Sequence, residues 1–283
     1  HMNQSENMSG RDSEGSVLSD DLEYMLLLLS KGNASDAREL SDSILERSRS
    51  ASERNHDIEA RVRLERALIG AVPEEMIGPE LRWCVDRLNA ISSGSSVHGL
   101  ALLNLATWHA NRGELMMALA THSEISVNNG HPLDINSLSR LEVGRILSSM
   151  NDYGPAMRHL WSARSGFIEL GMSPEAIAAS LEWLDLALDD ITDDSPTMAS
   201  RIEEAKPRHG PGNTTFPSNP SDVTSIVEYL FPILTQDLSG KSRLDIGLII
   251  EASEKMNRQV WKDAIASRKD EIQDPNLLEV FQS

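Results

Sequence analysis

Four histidines, His98, His109, His122 and His131, crowd into one short stretch, and imidazoles at that density could bind a metal or exchange protons. Their spacing argues otherwise: no HExxH or comparable ligand pair occurs, so they are expected to fill seams between helices. The acidic run Asp185, Asp189, Asp190, Asp193 and Asp194 could hold a divalent cation or meet a basic partner. It lacks the alternating oxygens and glycine of a calcium loop, and a solvated helix end is the simpler reading. Ser239-Gly240-Lys241-Ser242 has the tail of a phosphate-binding loop without the GxxxxGK spacing. Cys84, beside Trp83 in a helical stripe, reads as a small packed hydrophobe. No catalytic residue, metal ligand or cofactor site is expected, and the chain is expected to be non-enzymatic.

The elements that would position such residues are helices. Aromatic residues are 4% of the chain, β-branched runs are scarce, and Leu, Ala, Met, Glu, Arg and Ser dominate. Lys and Arg number 26 against 44 Asp and Glu, for a formal charge of −18, which disfavours nucleic acid and anionic membranes. The longest apolar run, Met25 to Leu29, is far short of the ~20 residues a bilayer requires. A single cysteine excludes an internal disulfide, and a reducing, cytoplasmic setting is expected.

Residues 1–18 are polar and are expected to form a disordered tail. Ser19 is placed to cap a helix striped by Leu22, Met25, Leu26 and Leu29. Further helices are expected from Ser35-Asp36, around Ile58 to Ile69, and from Pro79 with Leu81, Val85, Leu88 and Ile91 inward. Others should span about Val97 to Asn111 and Glu114 to Val127. Ser173-Pro174-Glu175 starts another, and Ser195-Pro196 a shorter one. Residues 206–220, rich in Pro and Gly, read as a linker that follows a repeat domain over 19–205. Residues 221–283 form a C-terminal helical segment, with Pro232 interrupting its first helix.

A repeat decides the fold class. Ala106, Gly113, Leu115 and Ala118 recur as Gly144, Asn151, Tyr153 and Ala156, each set at offsets of 7, 9 and 12 residues from its first member. Small residues let two helix backbones approach closely, and the large ones fill the groove beside them. In the second set the match extends to Val143, Leu147, Leu160 and Ala163. Fainter echoes occur around Gly32 and Ala37, where Met25 stands at the small position, and at Ala252, Trp261 and Ala264. The pattern resembles the tetratricopeptide repeat, with a period longer than the usual ~34 residues.

That resemblance implies an all-α solenoid of antiparallel helix pairs with additional C-terminal helices, and a concave groove lined by the first helix of each pair. On the second unit Arg140 and Arg145 fall on that helix, and Arg145, directly after Gly144, should point toward the groove. Asn104 and His109 on the first unit complete the expected partner-binding set. The Lys, Asn and Arg clamp that some relatives use for a C-terminal carboxylate is not reproduced. Tyr153, Trp161, Trp183 and Trp108 could anchor a partner but are weighted toward packing. The expected function is an interaction scaffold or adaptor for a protein or peptide; the acidic charge points to a basic partner, and the C-terminal helices are a candidate surface for self-association. The alternative is a ligand-responsive sensor whose C-terminal helices change docking.

Overall fold

The computed structural model describes residues 3–50, 54–205 and 216–282, with side chains from Val17 onward. The chain is all-α: the described residues form fourteen α-helices, and their β structure is confined to one bridge between Ile191 and Ser218. They fall into two compact units, one through Ile135 and one from Asn136. That division lies inside the span 19–205 read as one repeat domain, and no break in composition marks it.

In the first unit six helices follow one another: α1 (Asn3–Ser30), α2 (Ala34–Ser50), α3 (His56–Leu68), α4 (Glu74–Ser92), α5 (Ser96–Asn111) and α6 (Leu115–Ser123). Each packs on the next, as expected for stacked helix pairs. Leu18, Met25, Ala37, Ile44, Ile58 and Val62 form one apolar cluster, and Leu64, Leu81, Cys84, Leu88, Leu102 and Leu105 belong to a second. α1 reaches back through the stretch expected to be a tail, which fits the low free-energy cost of extending a helix once nucleated.

Two details of α4 differ from expectation. Pro79 does not open the helix; α4 starts after Pro73, and Pro79 lies within it on an exposed face where water can satisfy the carbonyl its ring leaves free. Ile91 is 39% exposed. It lies one residue before the C-terminal end of α4 at Ser92.

The boundary falls in the first turn of α7 (Leu133–Ser149); the second unit holds the rest of that helix, then α8 (Tyr153–Glu169), α9 (Ser173–Ala187) and the short α10 (Met198–Glu203). Then come α11 (Pro220–Leu234), α12 (Leu248–Lys255), α13 (Gln259–Ala266) and α14 (Pro275–Leu278). Gly144 on α7 is where α8 comes closest: a Cβ there would lie 2.8 Å from Leu160 Cγ and 3.2 Å from the Ala156 carbonyl oxygen. This is the close approach that the small-residue spacing predicted.

One turn design recurs in both units. Gly32, Gly70, Gly113 and Asn151 have φ of 76°, 73°, 76° and 59°. After each, an amide bonds the carbonyl five residues back: Asn33 to Leu28 at 2.9 Å, Ala71 to Arg66 at 3.0 Å, Glu114 to His109 at 3.0 Å and Asp152 to Leu147 at 2.9 Å. The left-handed residue ends a helix and satisfies a carbonyl the helix would otherwise leave open. The turns after α1, α3, α5 and α7 share this geometry, and it recurs after α8 at Gly171, with the Met172 amide on the Phe167 carbonyl at 2.9 Å, and after α12 at Asn257, with the Arg258 amide on the Ser253 carbonyl at 2.9 Å.

The C-terminal helices dock in cis. Val223, Ile226, Leu230, Ile249 and Trp261 share a core with Leu160, Phe167 and Trp183. Lys255 Nζ donates to the Leu188 carbonyl at 2.6 Å, closing the end of α9. α11 continues through Pro232 to Leu234. Of the expected linker, residues 206–215 lie outside the described residues. Phe216 lies under the Arg201 guanidinium at 3.8 Å, and Ser218 pairs with the turn after α9 through Asp190 and Thr192.

Candidate partner-binding groove

The helix pair α7–α8 and the following α9 enclose a groove of about 330 Å³ lined by Arg145, Ser148, Ser149, Leu160, Glu182, Asp185 and Leu186. Arg145 Nε and Nη2 donate to the two carboxylate oxygens of Glu182 at 2.7 and 3.1 Å, and Nη1 donates to Glu142 at 2.7 Å. The hydrogen bonds that Arg145 donates to Glu182 raise its pKa above the ordinary value, against the lowering effect of burial. The guanidinium is thus fixed in orientation and neutralised, while its side chain remains 42% exposed. Asp185 is the remaining charge on the lining, so the groove with Glu142 carries a net negative balance. Chemically it offers carboxylates beside two serines on a leucine floor, which suits a cationic side chain on an extended segment.

The other expected partner-binding residues are not at this groove. Arg140 is half-buried and donates to Ser139 Oγ at 3.3 Å, and burial lowers its pKa. Asn104 turns its amide back onto its own helix, donating to the Leu100 carbonyl at 2.8 Å. His109 is buried beside Trp108, with Nδ1 3.5 Å from Glu114.

All four clustered histidines are buried. Two form a pair: His131 Nε2 lies 3.1 Å from His98 Nδ1. The Gly94 amide donates to His98 Nδ1 at 3.1 Å and the Ser126 amide to His131 Nδ1 at 3.2 Å. Both Nδ1 atoms accept, so both rings carry their proton on Nε2 and His131 donates to His98. Burial, and then the neighbouring His131, lowers the His98 pKa below 6.5. The pair joins the turn before α5 to the turn after α6, where Gly94 leaves no room for a Cβ against the Asn129 carbonyl.

A larger ion-pair network went unseen in the sequence. Glu59 on α3 is completely buried and is met by Arg54, by Arg49 Nε at 3.3 Å and by Arg63 Nη1 at 3.5 Å. Burial pushes its pKa up, but hydrogen bonds and charge from Arg54 and Arg49 outweigh this and hold it at about 2. Arg63 also grips Glu80 with two bonds of 2.6 and 2.8 Å and stacks 3.5 Å above the Trp83 ring. The only sequence signal was an abundance of arginine between α2 and α4.

Of the remaining candidates, the Cys84 thiol is buried and desolvation pushes its pKa up to about 12, so it is not a nucleophile. Trp183 is buried edge-on to Trp161 with ring centroids 5.0 Å apart, and Trp108 packs on Gly78. Tyr153 donates its hydroxyl to Asn151 at 2.9 Å beside the turn. Among the described residues no cluster of three His, Cys, Asp or Glu side chains could hold a metal, and no helix is long and apolar enough to cross a membrane. No protein-family model matches the chain, and no curated protein matches it.

Proposed function

We propose that the chain is a non-enzymatic interaction scaffold of tetratricopeptide-like helix pairs that holds a basic segment of a partner protein in the α7–α9 groove. The observation that carries this reading is the groove itself: Arg145 is immobilised by Glu142 and Glu182, and Asp185 is left to meet a cation. Three further features support it. The repeat offsets coincide with the close approach at Gly144, one left-handed turn recurs between successive helices, and the acidic field of a −18 chain draws basic segments in.

The test is calorimetric titration of a flexible arginine–glycine peptide, without large apolar residues, into the full chain and into a Glu182→Gln/Asp185→Asn variant. Affinity should fall by about tenfold in the variant, and binding to the wild type should weaken as salt rises. Equal affinity in both proteins, or equal binding of an aspartate–glycine peptide, would contradict the proposal.

A further inference from the structure

The end of the first stack is apolar where a solenoid end is normally polar. On α1, Val17, Tyr24 and Leu27 are 53%, 56% and 47% exposed, while Leu18 and Met25 on the other side are buried. At 100° per residue the three exposed side chains fall within about 80° of arc, so they form one face rather than scattered contacts. Asp20 and Glu23, both exposed, lie on or beside that face, and Lys31 stands at its C-terminal end. Terminal elements of stacked repeats need a polar outer surface or a cover. This one has an apolar stripe edged with carboxylates.

We propose that the outer face of α1 is a docking surface for a basic amphipathic helix of a partner protein, separate from the α7–α9 groove. Apolar residues at helical spacing on the partner would cover Tyr24, Leu27 and Val17, and its flanking lysines or arginines would meet Asp20 and Glu23. Charge selects against a second copy as occupant: a contact centred on this stripe would bring its carboxylates near those of another −18 chain, whereas a basic helix would neutralise them.

The probe is a synthetic leucine–lysine peptide patterned as an amphipathic helix, with a leucine–glutamate peptide of the same pattern as its counterpart. Both are titrated by fluorescence anisotropy into wild type, Tyr24→Ser/Leu27→Ser and the groove variant Glu182→Gln/Asp185→Asn, with circular dichroism confirming equal helicity. The leucine–lysine helix should bind wild type and the groove variant alike, and the α1 variant about tenfold more weakly. A second variant, Asp20→Lys/Glu23→Lys, changes only exposed positions and should reverse the preference between the two peptides. The proposal fails if the leucine–lysine helix does not bind, if Tyr24→Ser/Leu27→Ser leaves binding unchanged, or if both peptides bind equally. It fails equally if wild type sediments as a dimer that the α1 variant converts to monomer. Loss of binding in the groove variant alone would place the probe in the groove and leave α1 uncovered, overturning this inference while supporting the other.

Discussion

Glu59 and Arg145 are mirror images in chemistry and opposites in setting. Glu59 is one carboxylate among three arginines, with no exposed surface; Arg145 is one arginine between two carboxylates, with its side chain 42% exposed. Burial decides what each can do. A buried ion whose partners are all in place holds helices together, and removing a partner leaves a charge without compensation. An exposed network contributes little to folding because water and salt screen it, so its charges remain available to a ligand. The same pairing that ties α2 and α3 together around Glu59 therefore leaves exposed charges at Arg145, on the groove proposed to hold a partner.

The comparison is broken most directly at Glu59. Glu59→Gln should lower unfolding free energy by about 2–3 kcal/mol in urea titrations at neutral pH, since Arg49, Arg54 and Arg63 would face an amide. The folded pKa of Glu59, about 2, lies below its ordinary 4.5. Its contribution is then present above about pH 4.5 and is lost as pH falls toward 2, so the variant should show a shallower acid limb in that window. If Glu59→Gln is neutral, burial is not what distinguishes the two networks.

Next in size is the helix seam that holds the Arg145 groove in shape. Gly144→Ala places a Cβ against Leu160 and the Ala156 carbonyl and should cost about 1–3 kcal/mol of thermal stability, despite the better helix propensity of alanine. A stabilised variant would mean that α7 and α8 do not approach as described.

The His98–His131 pair supplies an intermediate case, buried but neutral. Because the folded His98 pKa is lowered, its contribution is present above about pH 6.5 and lost as pH falls through the folded value. His98→Asn keeps an acceptor for the Gly94 amide and cannot titrate. Its stability between about pH 7.5 and 5 should fall less steeply than wild type, by at most about 1.4 kcal/mol per pH unit, one proton's worth. Parallel slopes would show that His98 binds its proton alike in the folded and unfolded chains, which would contradict the lowered folded value.

The smallest stability effect belongs to Arg145→Ala, expected below about 1 kcal/mol in the same urea titrations. A loss as large as that of Glu59→Gln would remove the distinction between the buried and the exposed network.

Much of the fold was legible because its turns are local. Gly113 and Asn151 announce the left-handed hinge through residue type, and Gly144 announces a close contact by lacking a side chain. Arg145, singled out because it follows Gly144, lines the α7–α9 groove, and Asp185 already stood out in an acidic run. Its partner Glu182 did not, because a lone glutamate on a helix looks the same whether it faces water or an arginine on another helix. Glu59 was invisible for the same reason. Arg140, Asn104 and His109 show the converse: repeat position fixes the backbone, while neighbouring side chains decide whether a polar group turns outward. The His98–His131 contact joins two turns far apart in sequence, so spacing could mark the residues but not pair them.

The most direct test is amide chemical-shift mapping of the full chain during titration with the arginine–glycine peptide. A groove that binds basic segments predicts the largest shifts at Ser148, Ser149, Glu182, Asp185 and Leu186, with Asn104 and His109 unmoved. Shifts concentrated on another face, or none at saturating peptide, would contradict the assignment of this groove as the partner-binding site.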